Sequence, residues 1–264
     1  MNSLSSKNDC TLAFLIPLKP KAKVSDWQLI SHLLRNTCLS LKNQSNQCFV
    51  AIIAGHDRPL GLEKVIDEKI HFTKVNYGIE VSEEKPRRDK FWKVCFAGTE
   101  AEKFNPKFHM ILDADDLVHK NLVQEVASKS DFQSIILNHG WEFDLKLKLA
   151  LKRKNLHLRC GSTFILRSDT FPLPIEHNWK EWSKMPHLKT PHQDMETWML
   201  KNKINFCYSD LPAILYIKGH GYNLSDAFAA NHIKRWFGFH TFGRPINEEI
   251  YNIYGISPTS FIQN

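Results

Sequence analysis

The chain of 264 residues has no apolar run longer than Cys48–Ala54, far short of the roughly 18 to 20 residues that a membrane-crossing helix needs. A bilayer-spanning helix is excluded. Residues Met1 to Asp9 are polar, and the apolar stretch behind them is short and broken by Pro17, so it reads as a first strand and no export signal is expected. No CxxC pair occurs among Cys10, Cys38, Cys48, Cys95, Cys160 and Cys207, which speaks against a zinc knuckle or a disulfide framework. Thiols scattered in apolar runs behave as small hydrophobes and fit a reducing compartment. The expected location is cytoplasmic, with room for peripheral contact at the inner membrane surface. No internal repeat and no Gly/Ser/Pro-rich linker divides the chain, so one compact unit is expected.

What is present is an ordinary globular balance, 42% hydrophobic and 24% charged, which excludes a disordered tail or a fibrous repeat. The net charge of +7 favours anionic partners. It is local: Lys146, Lys148, Lys152, Arg153, Lys154, Arg159 and Arg167 lie between Leu145 and Ser168 with no acid among them. That stretch suits RNA, an acidic membrane surface or an anionic acceptor glycan. It equally suits a solvated edge strand, whose lysines discourage aggregation.

Thr11–Leu18 and Gln47–Ala54 are β-rich apolar runs of the kind found in covered parallel strands. Between them Trp27, Ile30, Leu33, Leu34, Thr37 and Leu41 recur at helical spacing, with Ser25 or Asp26 as the cap. Helical segments are predicted at Lys85–Lys103, Leu117–Ser128 and Gln193–Lys203. Strands are predicted at Phe72–Val75, Lys107–Leu112, Ser134–Leu137, Gly161–Leu166, Ile204–Tyr208 and Ala213–Ile217. The tail from His220 reads as irregular. Such alternation indicates an α/β fold with a mostly parallel central sheet flanked by helices, whose ligands sit at the carboxyl ends of the strands.

The most specific local signal is Asp113-Ala114-Asp115-Asp116, directly after the apolar strand Phe108–Leu112. Carboxylates at a strand's carboxyl end project into the crevice of an open sheet, and two of them one residue apart can hold a hard divalent cation. Helix capping accounts for Asp115 or Asp116 but leaves the remaining repelling charges unexplained. His177, His187 and His192 have spacings that fit no closed zinc motif.

With Asp113-Ala114-Asp115 as an Asp-x-Asp motif, the sequence resembles the GT-A nucleotide-sugar glycosyltransferases, especially the large inverting family 2-like group. The resemblance covers roughly residues 11 to 225 and runs in the family's order. A first strand ends in Leu15-Ile16-Pro17, and a second ends near an acid, Asp57. A helix carries Arg87, Arg88, Lys90 and Gly98 toward the nucleotide, and Cys160–Phe164 is similar to the acceptor-side strand. His192-Gln193-Asp194-Met195-Glu196 stands where the family has an acidic motif opening a helix, usually Glu-Asp, with Gln193 in place of Glu. His220 follows the last strand.

The resemblance implies one GT-A, Rossmann-like domain at residues 11–225, with a nucleotide-sugar half at 11–117 and an acceptor half at 118–225. Residues 1–10 would be a tail, and 226–264 an aromatic and basic extension packed on the domain. It implies a metal-dependent transferase, inverting, moving sugar from a nucleotide diphosphate donor, UDP-linked in the commonest case, to a hydroxyl of a glycan or lipid-linked acceptor. Nucleic acid is not an expected partner. Mn²⁺ or Mg²⁺ would be held by Asp113, Asp115 and His220. The donor would meet Pro17, Lys19, Asp57, Arg88, Lys90, Asp113 and Ala114, and Asp194 would be the general base with Glu196 as its rival. Two alternatives stand beside this reading. A nucleotidyltransferase would share the sheet and acidic site but wants glycines where Pro17-Leu18-Lys19-Pro20 stands. A non-catalytic binder of nucleic acid or anionic polymer would not need three clustered aspartates. The tail segment Arg235-Trp236-Phe237-Gly238-Phe239-His240 suits a membrane interface, a sugar-stacking platform or closure of the core.

Overall fold

Nine strands form one sheet in the computed structural model, which describes residues 10–78, 86–176, 185–222 and 237–261. Strand β1 (Leu12–Pro17) lies between β2 (Phe49–Gly55) and β4 (Phe108–Ile111), and β2 pairs with β3 (Ile70–Lys74), all parallel. β1 and β2 are apolar on both faces because helices cover both, and every residue of β2 is buried. On one face lies α1 (Trp27–Lys42), capped by the Asp26 carboxylate, which accepts the Leu29 N–H at 2.8 Å. On the other lies α2 (Pro86–Glu102), where Val94, Cys95, Ala97 and Ala101 pack on Ala13, Leu15, Val50 and Ile52.

The parallel arrangement ends at β4. There β8 (Phe164–Arg167) runs antiparallel to β4, and β6 (Ser134–Asp144) runs antiparallel to β8. β6 pairs in parallel with β9 (Phe206–Lys218), while the short β5 (Leu117–Val118) and β7 (Leu149–Arg153) add antiparallel edges to β9 and β6. The sheet as a whole is therefore mixed, with a parallel run at β3–β2–β1–β4 and, beyond it, antiparallel pairs on either side of the parallel β6–β9 pair.

Several local expectations change with this pairing. Leu117 and Val118 begin no helix: they pair with Leu215 and Ile214, and α3 starts at Leu122 and ends at Ser128. The two strands predicted at Ile204–Tyr208 and Ala213–Ile217 are one strand, which passes Pro212 by a register shift against β6 near His139. Leu145 and Leu147 lie in a turn, and Leu149 and Leu151 enter β7, a strand additional to those predicted.

The end of the chain is also ordered beyond expectation. α6 (Glu248–Tyr254) is capped by Asn247, and it buries Ile250 and Tyr254 against Leu117, Trp141 and Leu215. The Tyr254 hydroxyl donates to the Pro212 carbonyl at 2.6 Å. Two short helices, α4 (Pro186–Lys189) and α5 (His192–Lys201), follow β8 in the chain and precede β9. Among the described residues no helix is long and apolar enough to cross a membrane.

Candidate active site

A cavity of about 920 Å³ opens at the carboxyl ends of β1 and β4, within the size range of small-molecule sites. The loop after β1 contributes Pro17, Leu18 and Lys19, and the segment after β4 contributes Asp113, Ala114 and Asp115. α2 offers Asp89, Lys90 and Lys93. Gly161 and Arg159, Tyr216 and His220, and the α4–α5 segment with His187, His192 and Gln193 complete the wall.

Each acid of the Asp113–Asp116 cluster has a different partner. Asp113 forms an ion pair with Lys90, and its backbone N–H donates to Ser162 Oγ at 2.9 Å. Burial by itself would lower the Lys90 pKa, but the adjacent Asp113 carboxylate raises it above the usual lysine value, so the side chain is a firm cation. Asp115 Oδ2 lies 2.7 Å from His220 Nε2. Asp116 is fully buried and holds the site together: it accepts from Ser162 Oγ at 2.7 Å and from Cys160 Sγ at 3.3 Å. Its burial, together with Asp115 and Asp113, pushes its pKa well above the usual carboxylate value.

His220 is carried by a short loop behind β9, in which Gly219 and Gly221 take φ of 86° and 85°, a region open to glycine at no steric cost. Its Nδ1 accepts the Tyr222 N–H at 3.3 Å, which puts the proton of the neutral ring on Nε2, facing Asp115. Tyr222 anchors the loop, since its hydroxyl meets Ser25 Oγ at 2.6 Å and accepts the Asp26 N–H at 2.8 Å. The Tyr222 carbonyl also accepts from Lys19. Burial pulls the Lys19 pKa down, with Asp115 and Asp113 opposing that shift.

A second polar group lies where α2 meets the cavity. Lys93 Nζ lies 2.7 Å from Asp89 Oδ2, and the Tyr77 hydroxyl donates to Asp89 Oδ1 at 2.9 Å. Both side chains of the ion pair are buried.

The residues singled out from sequence divide into two groups. Pro17, Lys19, Lys90, Asp113, Ala114, Asp115 and His220 are brought together on the cavity wall. Asp57, Arg88, Asp194 and Glu196 are not among its lining residues. Asp57 accepts the Lys21 N–H at 2.8 Å and so shapes the loop after β1. The Arg88 guanidinium lies over the Trp92 ring at 4.7 Å. Gly98 is a packing position: a Cβ there would come within 2.8 Å of Pro174 Cδ.

Asp194 is solvent-exposed in the first turn of α5, and the N-cap is Pro191 rather than Asp194. One helical turn brings Gln193 and Met195 to the cavity and leaves Asp194 facing water. Glu196 is already bonded, accepting from the Tyr208 hydroxyl at 2.5 Å and lying 3.0 Å from His157 Nε2. His177, Arg235, Trp236 and the side chain of Arg87 lie outside the described residues, so of the histidine trio only His187 and His192 are placed. Burial lowers the His187 pKa to about 4.

Sequence reasoning passed over Ser162, Tyr222, Asp89 and Lys93. Ser162 sits in the noted Cys160–Phe164 stretch, but nothing in the sequence shows that it bonds both Asp113 and Asp116. Asp89 and Lys93 carried a usable signal, being opposite charges one helical turn apart beside aromatics.

Among the described residues no group of three or more His, Cys, Asp or Glu side chains is arranged to hold a metal ion. Asp113 is committed to Lys90, which leaves the two donors Asp115 and His220. Mg²⁺ and similar cations are commonly held by one or two protein ligands with phosphates and water supplying the rest, and this pair fits such a site. Coordination through His220 Nε2 requires that nitrogen to give up its proton and Nδ1 to give up the Tyr222 N–H.

The site thus defines an α/β protein with an acidic and basic cleft at the carboxyl ends of its strands. No protein-family model and no curated protein matches the chain in sequence. Among solved structures it is similar to S. aureus TarS residues 1–349, at 12% identity and a TM-score of 0.48, covering 78% of this chain and 60% of that one. It is similar to a second S. aureus TarS structure at 12% identity and a TM-score of 0.48, covering 79% of this chain and 37% of that one. A third is a protein of Desulfovibrio desulfuricans G20 named as a proposed nucleotide-diphospho-sugar transferase, at 10% identity and a TM-score of 0.38, covering 76% and 79%. The chain thus spans less than two thirds of either TarS chain, and at these scores the likeness assigns no activity.

Proposed function

We propose that this protein is a GT-A-type glycosyltransferase that takes a nucleotide diphosphate sugar, uridine-linked in the first instance, and transfers the sugar to a hydroxyl acceptor. One observation carries the reading: Asp113, Ala114 and Asp115 meet Lys90, Lys19 and His220 on the wall of one cavity at the carboxyl ends of β1 and β4. A leaving nucleoside diphosphate gains negative charge, and preorganised cations beside it lower the barrier.

In this reading Lys90 and Lys19 face the diphosphate. Asp113 holds Lys90 in place and Ser162 fixes the backbone of Asp113. Asp115 and His220 would hold a divalent cation, which supplies Lewis-acid stabilisation of the phosphate oxygens when bound. Gly161 lies beside this pair, since a Cβ there would be 3.7 Å from Lys90 Nζ and 3.9 Å from Asp113 Oδ2. Asp194 and Glu196 stay off the cavity wall, so neither is assigned as base, and inversion, which depended on that base, is not part of the proposal.

Thermal-shift measurements with UDP, UTP and an oligonucleotide, each with and without Mn²⁺, test the reading. Metal-dependent stabilisation by UDP is expected, followed by donor hydrolysis in a panel of nucleotide sugars. Stabilisation by the oligonucleotide alone would overturn it in favour of a polymer binder. Release of pyrophosphate from a triphosphate would overturn it in favour of a nucleotidyltransferase.

A further inference from the structure

Beside the cavity, positive charge gathers around one buried carboxylate. Glu142, on β6, is 2% exposed, and Arg153 of β7 grips its Oε2 through Nε at 2.7 Å and Nη2 at 2.6 Å. Two further cations approach its Oε1, Arg159 Nη1 at 3.7 Å and Lys218 Nζ at 3.8 Å. Those distances are within ion-pair range but beyond hydrogen-bond reach. Oε1 has no hydrogen-bond partner. Among the described residues no hydrogen bond leaves the Arg159 guanidinium or the Lys218 ammonium.

Three cations against one carboxylate leave a surplus of two positive charges. One of the three cations reaches the cavity wall. Arg159 lines the cavity and is half exposed, and Lys218 lies 4.9 Å from the ring of Tyr216, itself a lining residue. The arrangement follows from the strand pairing, which sets Glu142 beside Tyr216 on β9 and beside Leu151 on β7. Lys218 is two residues beyond Tyr216 and leads into His220, so the cluster and the acidic motif share one loop. A buried carboxylate with one oxygen unsatisfied, orienting guanidinium and ammonium donors that it does not bond, presents those donors to a further anion.

We propose that Arg159 and Lys218 form an anion subsite at the edge of the cavity, which takes a phosphate group borne by the acceptor. The substrate class is then a phosphorylated alcohol or sugar, monomeric or part of a phosphate-containing polymer. The proposal rests on the reading of the cavity as a transferase site and adds the acceptor's charge to it. The donor's own diphosphate is the competing source of phosphate, and the proposed function gives it Lys90 and Lys19.

Isothermal titration with glycerol 3-phosphate, glycerate and glycerol as probes, and separately with UDP plus Mn²⁺, tests it. The proteins are the wild-type chain, Arg159→Gln and Arg159→Gln/Lys218→Gln. These replacements keep the Glu142–Arg153 pair, and circular dichroism confirms folding. Glycerol 3-phosphate should bind more tightly than glycerate, with glycerol undetected, and its affinity should fall about tenfold in the single variant and further in the double. UDP affinity should stay within about twofold. Absence of glycerol 3-phosphate binding to the wild type, or equal binding by all three proteins, would overturn the subsite. A parallel loss of UDP affinity would overturn it by giving these cations to the donor. Binding of glycerol 3-phosphate through Arg159 without any UDP binding would uphold the anion subsite and sink the transferase reading.

Discussion

Removal of the buried lysine at the inner end of the cavity offers a direct measure of how its polar floor is held. Lys93 and Asp89 are one helical turn apart on α2, 2.7 Å from nitrogen to oxygen, with side chains 1% and 8% exposed. Burial pulls the Lys93 pKa down, and Asp89 opposes that shift. In Lys93→Met the carboxylate loses the one cationic partner it has among the described residues and keeps the Tyr77 hydroxyl. Breaking such a pair from one side costs about 3–5 kcal/mol, because an uncompensated charge stays buried. With a urea slope of about 3 kcal/mol/M, the unfolding midpoint should fall by about 1–1.7 M. Lys93→Met/Asp89→Leu removes both charges and should recover most of the loss. A remainder of about 0.3–1 kcal/mol is expected, because Asp89 also opposes the positive end of the α2 dipole from its first turn. The Tyr77 hydroxyl still reaches the Asp89 backbone carbonyl at 3.3 Å. Equilibrium urea titration of the wild type, both single variants and the double variant completes the cycle. A Lys93→Met cost below about 1 kcal/mol, or a double variant no better than the single one, would refute the reasoning.

Three further outcomes follow from the same geometry. Asp115→Asn should abolish Mn²⁺-dependent stabilisation by UDP while leaving the melting temperature of the free protein within about 2 °C, and unchanged Mn²⁺ dependence would remove Asp115 from the site. Asp194→Asn should leave sugar transfer within about threefold of wild type, because the side chain faces solvent, whereas a loss of about 10² or more would restore it as the base. Burial lowers the pKa of His109 to about 3 and those of His119 and His187 to about 4. These rings stay neutral in the fold while the unfolded chain protonates near 6.5, so stability is complete above that pH and is lost as pH falls toward 4. Each ring contributes a loss of up to about 1.4 kcal/mol per pH unit. His109→Gln should flatten the acid limb measured by urea titration between pH 7 and 5, and an unaltered slope would contradict the assignment.

The parallel half of the sheet was legible in the chain because burial on both faces demands continuous apolar runs, and β1 and β2 are such runs. The α1 cap was legible too, because a cap is a contact between near neighbours. The Asp113–Asp115 signal and its place at a strand end needed only local pattern. The remainder depended on partners distant in sequence. Leu117 and Val118 have a helical neighbourhood but pair with β9, and the break suggested between Tyr208 and Ala213 vanishes because β6 supplies hydrogen bonds along both segments. Tyr254 reads as a residue of an irregular tail until the sheet provides the apolar surface that buries it. Asp194 and Gln193 are adjacent in sequence, yet α5 turns about 100° per residue and only the fold determines which of them faces the cavity. The same holds for charge: seven cations near residues 146–167 are visible in the chain, but only strand pairing sets Arg153, Arg159 and the distant Lys218 around Glu142. Local pattern determines which segments can be strands and helices, because periodicity and capping act within a few residues. The long-range pairing of the mixed sheet decides which side chains meet, because that depends on register across the whole chain.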